Sequence, residues 1–267
     1  MQKKVAIITG ASSGIGKSCV KEFLDNGFIV VAAARSAEKL ESLALEVNNS
    51  SVLLTQICDV SVEADCKNLI EETIGRFKRV DVLINNAGIS MRALFIETDL
   101  TVIRELMDVN FWGTVYCTKY ALPHVLQQRG SIIGVSSIAG KKGLPGRTGY
   151  SASKFAMEGF LETIRMEHMK DGLHVMIACP GFTNSEIRRS SRTASGSMQG
   201  ESPRNEGKMM SSQEVAQRIF IATKNKKRDL VLSLNGKLTV LLNKFLPGYT
   251  DKLVYKHMAK EPGSPFN

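Results

Sequence analysis

The sequence lacks any long apolar run, and this absence excludes one class of protein. Although 43% of the residues are hydrophobic, no window reaches the roughly 18 consecutive apolar residues that a transmembrane helix needs. No apolar stretch precedes the first strand-like run, KVAIIT, so we expect neither a signal peptide nor an N-terminal anchor. The sequence therefore predicts a cytoplasmic protein.

Clustered cysteines are also missing. The five cysteines are odd in number and scattered, none forms a C-x-x-C motif, and the chain has only four histidines. Disulfide frameworks and Cys/His metal sites need a more regular spacing than this. We predict reduced, mostly buried thiols and no bound metal.

The two signs of charge are not balanced, since 35 Lys and Arg residues stand against 26 Asp and Glu residues, for a net charge of +9. Such an excess is compatible with nucleic acid, an anionic membrane or an acidic cofactor or carrier, and most often it is solvated surface. No basic stripe with interleaved aromatic residues occurs in the sequence. We therefore predict no nucleic-acid partner.

Short β-branched apolar runs alternate with helical patterns along the chain. Strands that alternate with helices favour a parallel sheet covered by helices on both faces. No internal repeat or proline-rich linker divides the chain, so the pattern predicts a single α/β domain with a Rossmann-type, doubly wound, seven-stranded parallel sheet. The seven predicted strands are KVAIIT, FIVVAAA, SVLLTQI, RVDVLIN, GSIIGVS, LHVMIAC and DLVLSL.

Two segments depart from this alternation. Residues 183–210 are polar and rich in Ser, Gly and Arg, and a loop of that length in a compact domain is usually functional or disordered. Residues 236–267 are basic and amphipathic. We assign the cofactor-binding catalytic domain to residues 1–235 and treat 236–267 as a C-terminal helical extension.

A glycine-rich turn, TGASSGIG at residues 9–16, follows the first predicted strand and opens a helix. Glycines let the backbone approach a pyrophosphate, whose charge is favoured by the N–H groups and the dipole of the helix. The spacing is G-x-x-x-G-x-G, and its place at the first β-to-α turn is what makes it informative. The residues assigned here to cofactor binding are Gly10, Ser12, Ser13, Gly14, Ile15 and Gly16.

The end of the second strand carries no acidic residue that would bind the 2′-hydroxyl of an adenosine ribose. Ala34 takes the expected position and Arg35 follows it. A guanidinium suits a 2′-phosphate, whereas a carboxylate would repel it. The sequence therefore favours NADP(H) over NAD(H), with an ordinary surface arginine as the alternative.

Two further strand ends face the same expected crevice, because ligands of open α/β sheets lie at the carboxyl ends of the strands. The third strand ends with Asp59 and Val60, and the fourth is followed by Asn86, Ala87 and Gly88. We assign all five to cofactor binding.

Six motifs together resemble the short-chain dehydrogenase/reductase family in its compact, single-domain form. They follow the family's order and spacing and cover roughly residues 3–235. The runs GISMRALF and SSIAGKKGLPGRTGYSASK also resemble the branch that contains the dehydrogenase/reductase member 7B proteins and the 11β-hydroxysteroid dehydrogenases. The motifs are TGASSGIG, NNAG at 85–88, VNFWG at 109–113, VSSIAG at 135–140, YSASK at 150–154 and PGFTNS at 180–185.

Tyr150 and Lys154 are four residues apart, so on a helix they share one face. A free tyrosine has a pKa of about 10, and we expect the nearby ammonium and a cationic nicotinamide to lower it. The resemblance implies that Tyr150 is the general acid in reduction and the general base in oxidation. It also implies that Lys154 binds the nicotinamide ribose, that Ser137 holds the substrate oxygen, and that Asn110 supports a water-linked proton path.

The resemblance further implies that the turn after the sixth strand lines the nicotinamide, with Pro180, Gly181, Phe182 and Thr183, and that residues 183–210 form a substrate lid. The arginines of this segment would contact an anionic substrate or, more commonly, solvent; they are Arg188, Arg189, Arg192 and Arg204. In the tail, leucines at helical spacing alternate with lysines. Such a helix lies on an anionic membrane or packs against the domain or a partner subunit.

These features predict an NADPH-dependent reductase of a hydrophobic, lipid-like or steroid-like ketone or aldehyde, active as a homodimer or homotetramer. Two alternatives stay open. One is a 3-oxoacyl-carrier-protein reductase, for which the basic surface would suit an acidic carrier. The other is an NADP(H)-binding sensor or scaffold without turnover, against which the complete set of Asn110, Ser137, Tyr150 and Lys154 argues.

Overall fold

The computed structural model describes residues 2–202 and 209–266. In it, seven strands form one sheet in the order β3-β2-β1-β4-β5-β6-β7, and every neighbouring pair is parallel. The predicted fold class is confirmed. The strands are β1 Val5–Thr9, β2 Ile29–Ala34, β3 Leu53–Ile57, β4 Val82–Asn85, β5 Ser131–Val135, β6 His174–Cys179 and β7 Asp229–Val231.

Helices cover both faces of this sheet and leave two separate apolar cores. On one face α1, α2 and α7 bury residues such as Phe23, Leu43 and Ile219, and on the other α3, α4, α5 and α6 bury residues such as Leu69 and Leu161. The helices are α1 Gly14–Asp25, α2 Ala37–Val47, α3 Glu63–Phe77, α4 Leu100–Met107, α5 Gly113–Gln127, α6 Thr148–Glu167, α7 Ser212–Lys224, α8 Leu234–Phe245 and α9 Pro247–Ala259.

Burial on both faces explains why the central strands read as continuous apolar runs rather than alternating ones. All residues of β1, β5 and β6 are buried. The strand order reverses between β1 and β4, so the connections after these two strands leave toward opposite faces. A crevice therefore opens at their carboxyl ends, which is where an open α/β sheet binds its ligands.

One predicted helix is interrupted. The pattern across residues 99–128 reads as a single helix, but the structure inserts a π-helical turn, Asp108–Trp112, between α4 and α5. Such a bulge adds a residue to one turn and is frequent at functional sites. Its consequence here is the inward orientation of Asn110, which is fully buried.

The tail forms two short helices, because Pro247 begins α9 and cannot continue the hydrogen-bond ladder of α8. Its division from residues 1–235 stays a prediction. Among the described helices, none has the length and apolar content needed to cross a membrane. All five cysteines are buried free thiols.

Candidate active site

The glycine loop between β1 and α1 has left-handed backbone at two positions, a conformation that favours glycine. Gly10 and Gly14 have φ angles of 63° and 50°. A Cβ on Gly16 would lie 2.1 Å from the carbonyl oxygen of Gly10, so this glycine lets α1 begin directly against the loop. All residues of α1 are described by the structure, and its first turn carries no acidic side chain. The loop therefore fits an anion such as a pyrophosphate.

Thr9 and Asn86 connect this loop to the end of β4. The Thr9 hydroxyl accepts hydrogen bonds from the backbone N–H groups of Asn86 and Ala87, both at 3.1 Å. The side-chain amide of Asn86 donates to the Thr9 carbonyl at 2.9 Å. Asn86 therefore fixes the floor of the crevice. Sequence reasoning missed the part played by Thr9.

A groove of about 440 Å³ runs from the glycine loop to the ends of β2 and β3. It brings together nearly all the residues predicted to bind the adenosine and pyrophosphate, while Gly16 is buried behind the loop. Predicted residues that line it are Gly10, Ser12, Ser13, Gly14, Ile15, Arg35, Asp59, Val60, Asn86, Ala87 and Gly88.

The end of β2 presents basic groups to this groove. Arg35 has a side chain that is 56% exposed, and its Nη1 lies 3.9 Å from Oδ2 of Asp59. Lys39, which was not predicted, also lines the groove and pairs with Glu186 at 2.8 Å. Its position in the first turn of α2, four residues after Arg35, is the signal that could have identified it.

Tyr150, Lys154 and Ser137 meet in an adjoining cavity of about 160 Å³. Because α6 begins at Thr148, the tyrosine and the lysine lie on one face of its first turns. The Lys154 ammonium is 6.0 Å from the centroid of the Tyr150 ring and donates to the carbonyl oxygen of Val135 at 2.9 Å. Three of the four predicted catalytic residues therefore share one cavity.

The pKa of Tyr150 is raised above its ordinary value, which is opposite to the direction expected from the sequence. Burial is the largest cause, and it outweighs the Ser137 hydrogen bond and the Arg147 charge, which both favour the phenolate. Burial also lowers the pKa of Lys154 to about 8, although the Glu158 carboxylate opposes this. Both groups lose more water than the sequence indicates, and the lowering of the Tyr150 pKa by a cationic nicotinamide stays a prediction.

Asn110 is buried behind the cavity and has a supporting position. Its Oδ1 accepts from the Ile89 N–H at 2.9 Å, and its Nδ2 donates to the Ile89 carbonyl and to Ser153 Oγ, each at 2.9 Å. Gly88 keeps the space beside it open, since a Cβ there would lie 3.0 Å from Asn110 Oδ1 and 3.3 Å from Lys154 Nζ. The water-linked proton path stays a prediction.

The segment after β6 lies where the sequence placed it, with Pro180, Gly181, Phe182 and Thr183 lining the cavity. The arginines of residues 183–210 differ from one another in their contacts. Arg192 is largely buried and forms two hydrogen bonds to the Glu105 carboxylate, at 2.5 and 2.8 Å, so a solvated role is wrong for this residue. Arg188 donates to Ser202 at 3.1 Å, and Arg204 lies outside the described residues.

The far wall of the cavity comes from the C-terminal tail, which sequence reasoning did not predict. Met258 and Glu261 line it beside Arg147. The Glu261 carboxylate is nearly fully buried and lies 3.4 Å from Nη2 of Arg147 and 3.6 Å from Nε of Arg92. More than 100 residues separate these partners in sequence, so no local pattern indicates the contact.

A glycine loop at the switch point of a doubly wound sheet, next to a cavity with a tyrosine, a lysine and a serine, defines an oxidoreductase of the dinucleotide-binding class. A family model described as short chain dehydrogenase matches residues 4–196. The chain belongs to the short-chain dehydrogenase/reductase family.

Its relatives agree with this assignment. The chain is 34% identical to dehydrogenase/reductase SDR family member 7B of Xenopus laevis, over 92% of this chain and 79% of the relative. It is 40% identical to 11-beta-hydroxysteroid dehydrogenase A of Sesamum indicum, over 69% of this chain and 53% of that protein.

Solved structures show the same fold. An alcohol dehydrogenase from Thermococcus sibiricus, complexed with 5-hydroxy-NADP, has a TM-score of 0.76 at 24% identity and covers 86% of this chain and 96% of its own. A short-chain dehydrogenase/reductase from Burkholderia phymatum, in complex with NAD, has a TM-score of 0.81 at 23% identity, with coverages of 91% and 93%.

Proposed function

We propose that this protein is an NADP(H)-dependent oxidoreductase that reduces a ketone or aldehyde on a hydrophobic substrate and oxidises the alcohol in reverse. The observation that carries the proposal is the meeting of Ser137, Tyr150 and Lys154 in a cavity that adjoins the glycine-loop groove. A substrate carbonyl in this cavity would lie beside a proton donor and within reach of a dinucleotide.

The glycine loop, the end of β2 and the turn after β6 fit such a cofactor. The positive φ of Gly10 and Gly14 and the close approach at Gly16 form a cradle that any Cβ would fill. The loop would hold the pyrophosphate, and Pro180 and Thr183 would flank the nicotinamide. NADP(H), when bound, would supply or accept the hydride.

Tyr150 would donate its phenolic proton to the carbonyl oxygen as reduction proceeds. Burial raises the pKa of Tyr150, so the hydroxyl is protonated near neutral pH, and a neighbouring cation would offset the weaker acidity. Ser137 would hydrogen-bond the same oxygen and stabilise the charge that develops on it. The Lys154 ammonium lies beside the tyrosine and would stabilise the phenolate left after transfer.

Basic groups at the end of β2 support NADP(H) over NAD(H). The ribose-binding position that would carry an acid is Ala34, and Arg35 and Lys39 line the groove next to it. A 2′-phosphate would be paired by these two cations.

Apolar side chains support a hydrophobic substrate. The cavity beyond Tyr150 is lined by Leu144, Phe182, Ile187 and Met258. One relative carries the name of a hydroxysteroid dehydrogenase, which supports a steroid-like or lipid-like compound. The polar groups of the far wall, Arg147 and Glu261, would orient one end of the substrate.

NADPH oxidation, followed by absorbance over a panel of hydrophobic ketones, aldehydes and 3-oxoacyl carrier-protein thioesters, tests the function. We expect turnover in the wild type and a loss of about 10²- to 10⁴-fold in Tyr150→Phe, because the acid is removed while the ring stays. Tyr120→Phe, on the exposed side of α5, is the matched control and should keep activity.

Two outcomes would change the assignment. Turnover only with the carrier-protein thioester would favour the 3-oxoacyl reductase. Tight NADPH binding without turnover of any substrate would favour the non-catalytic sensor.

We propose that the tail binds an anionic lipid surface. The proposal is supported by the exposed leucines of α8, which have Lys237 and Lys244 beside them. The homodimer or homotetramer and the cytoplasmic location stay predictions. Exposed aromatic residues on the helices next to the site, Trp112 and Phe155, support an assembled state.

A further inference from the structure

A buried carboxylate lies one helical turn beyond Lys154. Glu158, on α6, is 5% exposed and receives three donors from two segments, the loop after β5 and the end of β6. Ser136 Oγ donates to its Oε1 at 2.5 Å, Lys141 Nζ lies 2.7 Å from its Oε2, and Cys179 Sγ lies 3.6 Å from its Oε1. Burial raises the pKa of the Glu158 carboxyl, and the Lys141 ammonium and the Ser136 hydroxyl oppose that shift by favouring the charged form.

Two of these donors bracket the residue that we propose contacts the substrate oxygen. Ser136 and Lys141 flank a short loop at the end of β5, and Ser137 lies inside it. The loop closes tightly around the carboxylate, because a Cβ on Gly140 would lie 2.3 Å from Glu158 Oε1 and 2.5 Å from Ser136 Oγ. Glu158 therefore holds both ends of the segment that orients Ser137.

The third donor connects the same carboxylate to the cofactor side of the site. Cys179 ends β6 and directly precedes Pro180 and Gly181, which line the cavity. A single side chain on α6 thus contacts the two strand ends that face the cavity from the sheet.

The charge of Glu158 also acts on Lys154. The groups that face Lys154 are Tyr150 and Glu158 from α6 and the Cys179 thiol from β6. Of these, the Glu158 carboxylate does most to raise the pKa of Lys154 against the effect of burial. Around Glu158 itself lies the Lys141 ammonium, which in turn lies 3.9 Å from Asp229 on β7.

We propose that Glu158 is a positioning residue for the reaction, a role that rests on the proposed function. Its carboxylate holds the Ser137 loop against α6 and keeps a negative charge one turn from Lys154. It acts through Ser137 and Lys154 rather than on the substrate.

Two variants and a control separate the effect of Glu158 on the Ser137 loop from its effect on the charge of Lys154. Glu158→Gln keeps the size and removes the charge, whereas Ser136→Ala removes one anchor of the loop and keeps the charge. Glu162→Gln, one turn further along α6, is the matched control, because its carboxylate is half exposed and pairs with Arg228 at 3.7 Å at the surface.

We expect kcat to fall about tenfold or more in both Glu158→Gln and Ser136→Ala, because a displaced serine no longer meets the substrate oxygen. The KM for NADPH should stay within about twofold. In Glu158→Gln alone, the alkaline limb of the kcat profile should move to lower pH by about one unit, since Lys154 loses its charge partner. Glu162→Gln should match the wild type.

A titration that needs no turnover follows the Lys154 side chain directly. NMR of ¹³Cε-lysine protein, assigned with Lys154→Met, should give a midpoint about one unit lower in Glu158→Gln than in the wild type. If the wild type reduces no carbonyl, the proposed function fails, and this titration still decides whether Glu158 acts on Lys154.

Wild-type kcat and an unmoved titration in Glu158→Gln would overturn the proposal. So would a variant that is only less stable, with normal kcat per folded molecule. If Glu158→Gln does not fold, Ser136→Ala and Lys141→Met carry the test, and normal kcat in both would overturn it.

Discussion

At the scale of single residues, spacing predicts which side chains meet, but it does not predict their protonation. Tyr150 and Lys154 share a helix face because they are four residues apart, and the structure places both in one cavity. Their pKa values depend instead on how much water each group loses, and burial raises one and lowers the other. That loss is set by residues far along the chain.

Arg35 is the residue on which cofactor preference depends most directly. Arg35→Ala should raise the KM for NADPH about 10- to 100-fold and leave the KM for NADH nearly unchanged, since a charge-assisted hydrogen bond contributes about 1.5–3 kcal/mol. Steady-state kinetics with both cofactors measure this. Arg76→Ala is the control, because Arg76 lies on α3 and its guanidinium donates to the Ser50 carbonyl. An equal loss with NADPH and NADH would contradict the assignment to a 2′-phosphate.

At the scale of elements, two glycines mark the start of α1 in the sequence, while no local sequence signal marks the π-helical turn after α4. Gly14 and Gly16 define the start of α1, because Gly14 has a φ of 50° and a Cβ on Gly16 would collide with the Gly10 carbonyl oxygen. The turn at Asp108–Trp112 follows the same apolar period as the helices on either side. Asn110 is held inward by hydrogen bonds to Ile89 and Ser153, which are distant from it in the sequence.

The two glycines at 16 and 75 give an internal comparison. Gly16→Ala should destabilise the protein by about 1–3 kcal/mol and weaken NADPH binding, because its Cβ would collide with the Gly10 carbonyl. Gly75→Ala, in α3 with nothing within 4 Å of its Cβ, should stabilise by about 1 kcal/mol. Urea unfolding and NADPH fluorescence titration measure both. Comparable stability and affinity in the two variants would show that the loop tolerates a side chain.

At the scale of the whole molecule, the two helices of the tail have different surroundings. The apolar face of α8 is exposed, whereas α9 contributes a buried side chain near its C-terminal end to the cavity wall. Leucine and phenylalanine side chains on α8, at spacings of four, three and four residues, are exposed, whereas Met258 on α9 is buried in the cavity wall. The exposed face consists of Leu234, Leu238, Leu241 and Phe245, with Lys237 and Lys244 beside it. Apolar area and lysines together favour an anionic lipid surface.

Vesicle co-sedimentation tests this surface. The wild type should bind phosphatidylserine-containing vesicles, less well at high salt, and Leu238→Glu with Phe245→Glu should reduce the bound fraction at least several-fold. Leu45→Glu, an equally exposed leucine on α2, should bind like the wild type. Failure of the wild type to bind, or equal binding of all three proteins, would exclude lipid as the partner of α8.

The sequence by itself determined the sheet, the glycine loop and the pairing of Tyr150 with Lys154, because each follows from contacts between residues close in the chain or from the periodicity of an element. Only the tertiary structure decided that Met258 and Glu261 close the cavity, that Arg192 pairs with Glu105, and that Glu158 anchors the Ser137 loop. These contacts join elements that the fold brings together from distant parts of the chain. The burial of these side chains decides which groups they pair with and how their pKa values shift, and no local sequence pattern predicts that burial.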